Sequence, residues 1–191
     1  MADVVTPERI LSFWLDEVGT EGWYRQDDAL DAAIKSEFEE AWNSAMEGAF
    51  ALWLTYPSGA LAYLILTDQF SRNMFRGSSK AFASDAAALA VAKKAIAQGY
   101  DKKIDAPARQ FFYMPLMHAE NLCDQERCVR LMHERLGSED NLLHARVHRE
   151  IIRKFGRFPY RNDALERRAS EGEMAFVANG GYAQTLEALR A

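Results

Sequence analysis

No stretch of this chain approaches the roughly 18 consecutive apolar residues that a membrane-spanning helix needs. Its first residues, MADVVTPERI, also lack the basic start and continuous apolar run of a signal peptide. A cytosolic protein without a membrane partner is therefore expected. Cysteine is scarce: Cys123 and Cys128 are five apart, which fits neither a C-x-x-C redox pair nor a zinc knuckle, and on a helix they point in different directions. They read as reduced core or boundary thiols. G-x-S-x-G, the Walker loop and G-x-G-x-x-G do not occur, and Ser71, Ser78 and Ser79 have no evident base beside them. No cofactor is implied. No alternating apolar-polar run is long enough for a strand, and no self-similar period marks a repeat array.

What is present is the composition of a folded protein: 191 residues, 49% hydrophobic and 27% charged, enough for a single domain over residues 1–191 with a substantial core. A net charge of -5 argues against a general nucleic-acid partner. Charge is unevenly placed, however. Met1 to Phe50 holds 12 acidic and 3 basic residues, whereas His144 to Arg168 holds 8 basic and 3 acidic. The basic segment is expected either to pair with the acidic N-terminal helices or to meet an external anion.

The pattern is all-α. Thr6-Pro7-Glu8 supplies a cap, a first-turn proline and an acid for a helix ended by Gly19, and Asp27-Asp28 opens a longer one with Leu30, Ile34, Phe38, Ala41 and Ala45 on one face. Further helices are expected from Pro57, from Ser84-Asp85 to Gly99, and from Asp105 through a kink at Pro115. Others should run from Asp124 to Gly137, from Ser138 to Phe155, from Asn162 or Asp163, from Ser170, and in a last turn after Gly180-Gly181. Short loops make neighbouring helices antiparallel.

Four polar groups could carry chemistry. Asp68, Arg72 and Arg76 stack at helical spacing, with Gln69 and Asn73 in the adjacent row; this is either an ion-pair ladder or one wall of a cleft. His118 and Glu120, beyond Pro115, could form an acid-base pair if the kink re-aims them. His144 and His148 have the one-turn spacing of a zinc pair, but Arg146, Arg149 and Arg153 would surround a dication with positive charge, so no metal is expected. Arg157, Arg161 and Asn162 bracket a proline turn suited to a carboxylate or phosphate.

The segments ILTDQFSRNMFRG, FASD at Phe82 to Asp85, MPLMHAE at Met114 to Glu120 and HREIIRKFGRFPYRN, taken in that order, resemble the bacterial domain-of-unknown-function family nine-hundred-twenty-four. The resemblance runs from Phe13-Trp14 to Gly180-Gly181. It implies a tetratricopeptide-like superhelical bundle of antiparallel helix pairs and brings no established activity. It also implies that Tyr160 stands where the family often has His, and Glu166 where it has Gly.

These motifs single out Asp68, Gln69, Arg72, Asn73, Arg76, His118, Glu120, His148, Arg157, Arg161 and Asn162, which we expect to converge on one polar cavity. A binding module holding an anionic small molecule or peptide carboxylate is the leading reading. An enzyme of unassigned class, such as a hydrolase, would use His118 or His148 as base and Arg72, Arg157 or Arg161 as electrostatic stabilisers. A structural scaffold would bury the same residues as a register-fixing network.

Overall fold

The computed structural model describes residues 5–190, and its regular elements are all helical, with no strand among the described residues. Two compact units follow each other in the chain, the first ending at Pro115 and the second beginning at Leu116. No helix among the described residues is long and apolar enough to cross a membrane.

In the first unit, α1 (Pro7–Leu11) starts as its sequence dictates: Thr6 Oγ1 accepts from the Arg9 amide, and Pro7 occupies a position whose N–H is not needed. A π-helical turn, Ser12–Val18, continues it. Helix α2 (Asp28–Met46) is capped by Asp27, whose carboxylate accepts from the amides of Ala29 and Leu30. Ile34, Phe38, Trp42 and Ala45 form its buried stripe. Helix α3 (Pro57–Leu64) runs into a second π-helical stretch, Ile65–Phe70, and then the turn Ser71–Met74. Helix α4 (Asp85–Ala97) presents Ala88, Ala92 and Ala95, small side chains that let it lie close to α3. An aromatic core holds the unit together: Phe13 lies 5.1 Å from Phe38, Trp14 lies 5.3 Å from Phe70, and Trp23 meets Phe111 edge-on at 4.8 Å. Burying each such ring stabilises by about 1.5–3 kcal/mol, with a further ~1 kcal/mol for edge-to-face geometry.

The expected long helix kinked at Pro115 does not form. Ala108–Phe112 is a 3-10 stretch and Met114–Met117 a single α turn with Pro115 as its second residue. Prolines at 107 and 115 each remove a donor, so no continuous ladder crosses the segment. His118 and Glu120 follow in a loop, where the Gln125 amide donates to the carbonyls of Met117 at 2.6 Å and Ala119 at 2.8 Å.

The second unit contains α5 (Leu122–Leu131), α6 (Glu139–Phe155), α7 (Glu171–Ala178) and α8 (Gly181–Arg190). Helix α6 is capped by Ser138 and ended by Gly156 at φ 72°, and it packs against both α5 and α8. Its core is small: Val147, Ile151, Ile152, Phe158 and Phe176. The helix expected from Asn162 or Asp163 is absent; residues there form a turn closed by Arg167 N–H donating to Asn162 O at 2.8 Å. Glu166 takes φ 51° in that turn, a left-handed conformation that glycine adopts freely and a side chain does not.

Candidate functional site

The motif Thr67 to Arg76 begins on the π-helical stretch Ile65–Phe70 that follows α3 and runs on through the turn Ser71–Met74. Side chains of the motif bond the carbonyls of that stretch. Ser71 Oγ donates to Thr67 O at 2.9 Å, Ser84 Oγ also donates to Thr67 O, and Arg72 Nη1 donates to Asp68 O at 2.7 Å. The same guanidinium pairs with the buried Asp68 carboxylate at 3.2 Å and with Asp85 at 2.9 Å, while its Cζ lies 5.8 Å over the Phe82 ring. Gln69 donates to the second Asp68 oxygen. Asn73 and Arg76 instead reach α2: both donate to Asp31, at 2.7 Å each.

Thus the first and second family motifs lock together: Phe82, Ser84 and Asp85 of FASD each touch a group of TDQFSRN. Ser84, expected as a capping hydroxyl, makes no such bond; it accepts from Trp42 Nε1 at 3.2 Å and serves α3.

The third and fourth motifs form a second lock within the second unit. Glu120 accepts from the Phe158 amide at 2.8 Å and from both Arg167 amino groups, at 2.6 and 3.0 Å. Burial alone would raise its pKa, yet the Arg167 and Phe158 hydrogen bonds outweigh that and hold it below the usual 4.5. Arg167 also donates to Asn162 Oδ1 at 2.9 Å and Phe158 O at 3.0 Å. Arg157 forms a fork with Glu173 at 2.6 and 2.8 Å, and that carboxylate accepts from the Ser170 amide as half of a capping box on α7. Arg157 and Ser170 keep Glu173 well below the ordinary carboxylate range.

Around Phe158 the geometry is of another kind. His148 Nδ1 lies 2.8 Å from His144 O, so Nδ1 must be the protonated nitrogen and Nε2 carries the lone pair. Its ring packs edge-on against Phe158 at 5.5 Å, Tyr182 at 5.1 Å and His118 at 6.3 Å. Arg161 lies 4.5 Å over Phe158. Although His148 keeps part of its surface exposed, desolvation by these rings together with the charges of His118, Arg161 and His144 pushes it down to about 3. Tyr182 is pushed above its usual range, chiefly by burial, and its hydroxyl is hydrogen-bonded to His144 Nδ1. Tyr160, 41% exposed, stacks 5.4 Å from Phe158 at the rim.

The candidate residues therefore fall into two groups. Asp68, Gln69, Arg72, Asn73 and Arg76 belong to the first unit's lock. In the second unit Glu120, Arg157 and Asn162 belong to the other lock, and His118, His148 and Arg161 surround Phe158. The residues that hold these groups, Asp31, Asp85, Arg167, Glu173 and Tyr182, were not among those the sequence singled out. Two of them carried a local signal of another kind: Asp85 in the FASD helix start, and Glu173 in the Ser170-x-x-Glu173 capping pattern. Among the described residues no group of three or more His, Cys, Asp or Glu side chains could hold a metal ion.

Residues 10–181 match the family described as "Bacterial protein of unknown function (DUF924)". The chain belongs to this family. A DUF924-like fold is also seen in a solved structure of a protein of unknown function from Agrobacterium tumefaciens, which is 34% identical and superposes with a TM-score of 0.85. That similarity covers 90% of this chain and 96% of the Agrobacterium one. No curated protein matches the chain. The DUF924 match spans all four motifs, and hence both locks.

Proposed function

We propose that this protein is a binding module whose second unit takes a small anionic ligand or peptide carboxylate at the rim formed by His118, His148, Tyr160 and Tyr182, beside Arg161. The observation that carries this reading is the orientation of His148. With Nδ1–H committed to His144 O, its Nε2 is an acceptor standing next to a cation. A carboxylate with a neighbouring N–H or O–H, such as a peptide C-terminus, complements both: the anion meets the positive potential, and the donor meets Nε2. Helix pairing of the tetratricopeptide-like kind, with α5 and α8 both laid on α6, is part of the same reading and presents this rim on a rigid element.

Binding is favoured over catalysis because an efficient general base needs a pKa near the working pH, and His148 lies far below it. For the first unit a structural reading is favoured, since its motif side chains bond carbonyls of their own helical segment and the Asp31 carboxylate of α2. The test is a thermal-shift and calorimetric titration with acetylated dipeptides carrying a free C-terminal carboxylate, their amidated counterparts, and inorganic phosphate. The free carboxylates should raise Tm, and His148→Asn, which keeps a donor for His144 O but lacks Nε2, should weaken them selectively. If no carboxylate or phosphate raises Tm, the reading fails.

A further inference from the structure

The second unit's core is open on one side. A cavity of about 530 Å³ lies between α6 and helices α7 and α8, within the size range of small-molecule sites. Ile151, Phe155 and Phe176 form its floor, and Thr185 and Ala188 of α8 its far wall. Three charged side chains of α6 stand at the mouth, but two neutralise each other: Arg153 bridges Glu150 at 2.9 Å and Glu126 at 2.7 Å, and Glu150 also accepts from Arg149. Lys154 is left over. Its ammonium lies 5.1 Å from the Phe155 centroid and 5.8 Å from that of Phe176, and it makes no ion pair among the described residues.

An apolar floor with one cation over it complements an apolar chain that ends in one negative charge. We propose that this notch binds a medium-chain carboxylate, its hydrocarbon lying on Phe155 and Phe176 and its head group at Lys154. The lysine's stem covers the rings while its charge stays at the mouth, so the head group keeps its hydration and the chain loses water on the side that meets the rings. This site is separate from the His148 rim and does not depend on it.

Isothermal titration of the full chain with decanoate, decanol and decylammonium tests the assignment. Decanoate should bind best, and decylammonium should be the weakest of the three. Lys154→Glu, on an exposed position, should weaken decanoate about fivefold, as expected when one solvent-screened attraction becomes a repulsion, and leave decanol unchanged. Ala188→Trp, also at an exposed position, fills the notch and should abolish decanoate and decanol binding with Tm preserved. Decanoate has no N–H or O–H beside its carboxylate to meet His148 Nε2, so His148→Asn should weaken the peptide carboxylates and leave decanoate binding intact, which keeps the two outcomes distinct. Equal affinities for the three amphiphiles, or decanoate binding that survives Ala188→Trp, would overturn the proposal. So would co-sedimentation with phosphatidylglycerol vesicles in a protein that binds no free decanoate, because the surface would then read a membrane.

Discussion

Replacing Glu120 by alanine removes three hydrogen bonds at once: one from the Phe158 amide at 2.8 Å and two from Arg167 at 2.6 and 3.0 Å. Both partners are largely withdrawn from water, with side-chain exposures of 22% for Arg167 and 25% for Glu120. Hydrogen bonds to charged groups contribute about 1.5–3 kcal/mol each, but three sharing one carboxylate are not additive, so the expected loss is about 3 kcal/mol. For a chain of this length that lowers Tm by about 6–12 °C. Glu120→Gln keeps an acceptor for Phe158 N–H and loses only the charge, for a cost of about 1 kcal/mol. Calorimetry of Glu120→Ala, Arg167→Ala and the double variant should give a coupling of about 1.5–3 kcal/mol. The pH dependence has a fixed sign. A carboxylate held below its ordinary 4.5 stabilises the fold above that value, and the stabilisation is lost as pH falls through the depressed folded pKa. Glu120→Gln should therefore flatten the acid limb of the stability curve. A Glu120→Ala protein within about 0.5 kcal/mol of wild type, or additive single variants, would refute the lock.

Other perturbations separate structural from functional roles. Asp31→Ala removes the shared acceptor of Asn73 and Arg76 and should cost about 1–2 kcal/mol in denaturant titration without altering carboxylate binding. Gly59→Ala would drive a Cβ into Trp53 O and set it 2.6 Å from the Tyr56 ring, so a loss of about 2 kcal/mol or more is expected in urea unfolding. Glu166→Gly relieves a left-handed residue at φ 51° and should raise stability by up to about 1 kcal/mol; a lower Tm would show that the turn needs the side chain. His148→Asn removes an imidazole that is protonated in the unfolded chain near 6.5 but resists protonation in the fold until about 3, with His118, His144 and Arg161 as its charged surroundings. Wild-type stability should fall as pH drops through that window, and the variant's should fall less.

Helix starts and stops were legible in the sequence because capping is local chemistry. Thr6, Asp27, Ser138 and Ser170 each accept a hydrogen bond from an amide two or three residues on, and Gly137 and Gly156 take left-handed conformations at helix ends. Charge partners were not legible. Arg167 finds Glu120 at a separation of 47 residues and Arg157 finds Glu173 at 16, and no periodicity connects them. The basic segment's arginines were expected either to pair with the acidic N-terminal helices or to meet an external anion. Arg149 and Arg153 pair instead with Glu126 and Glu150, and Arg157 with Glu173. The π-helical stretch under TDQF also escaped the pattern, since one extra residue per turn leaves no mark in composition. With it was missed the place of Ser71 and Arg72, whose side chains bond the Thr67 and Asp68 carbonyls of that stretch.

Side-chain nitrogen NMR of His148 across the pH range is the most direct measurement. An imidazole protonated at Nδ1, with Nε2 as a bare acceptor that stays neutral from about pH 5 to 8 and shifts when a free-carboxylate peptide is added, is the expected result. Titration near the ordinary 6.5, or protonation at Nε2 in the neutral form, would contradict it.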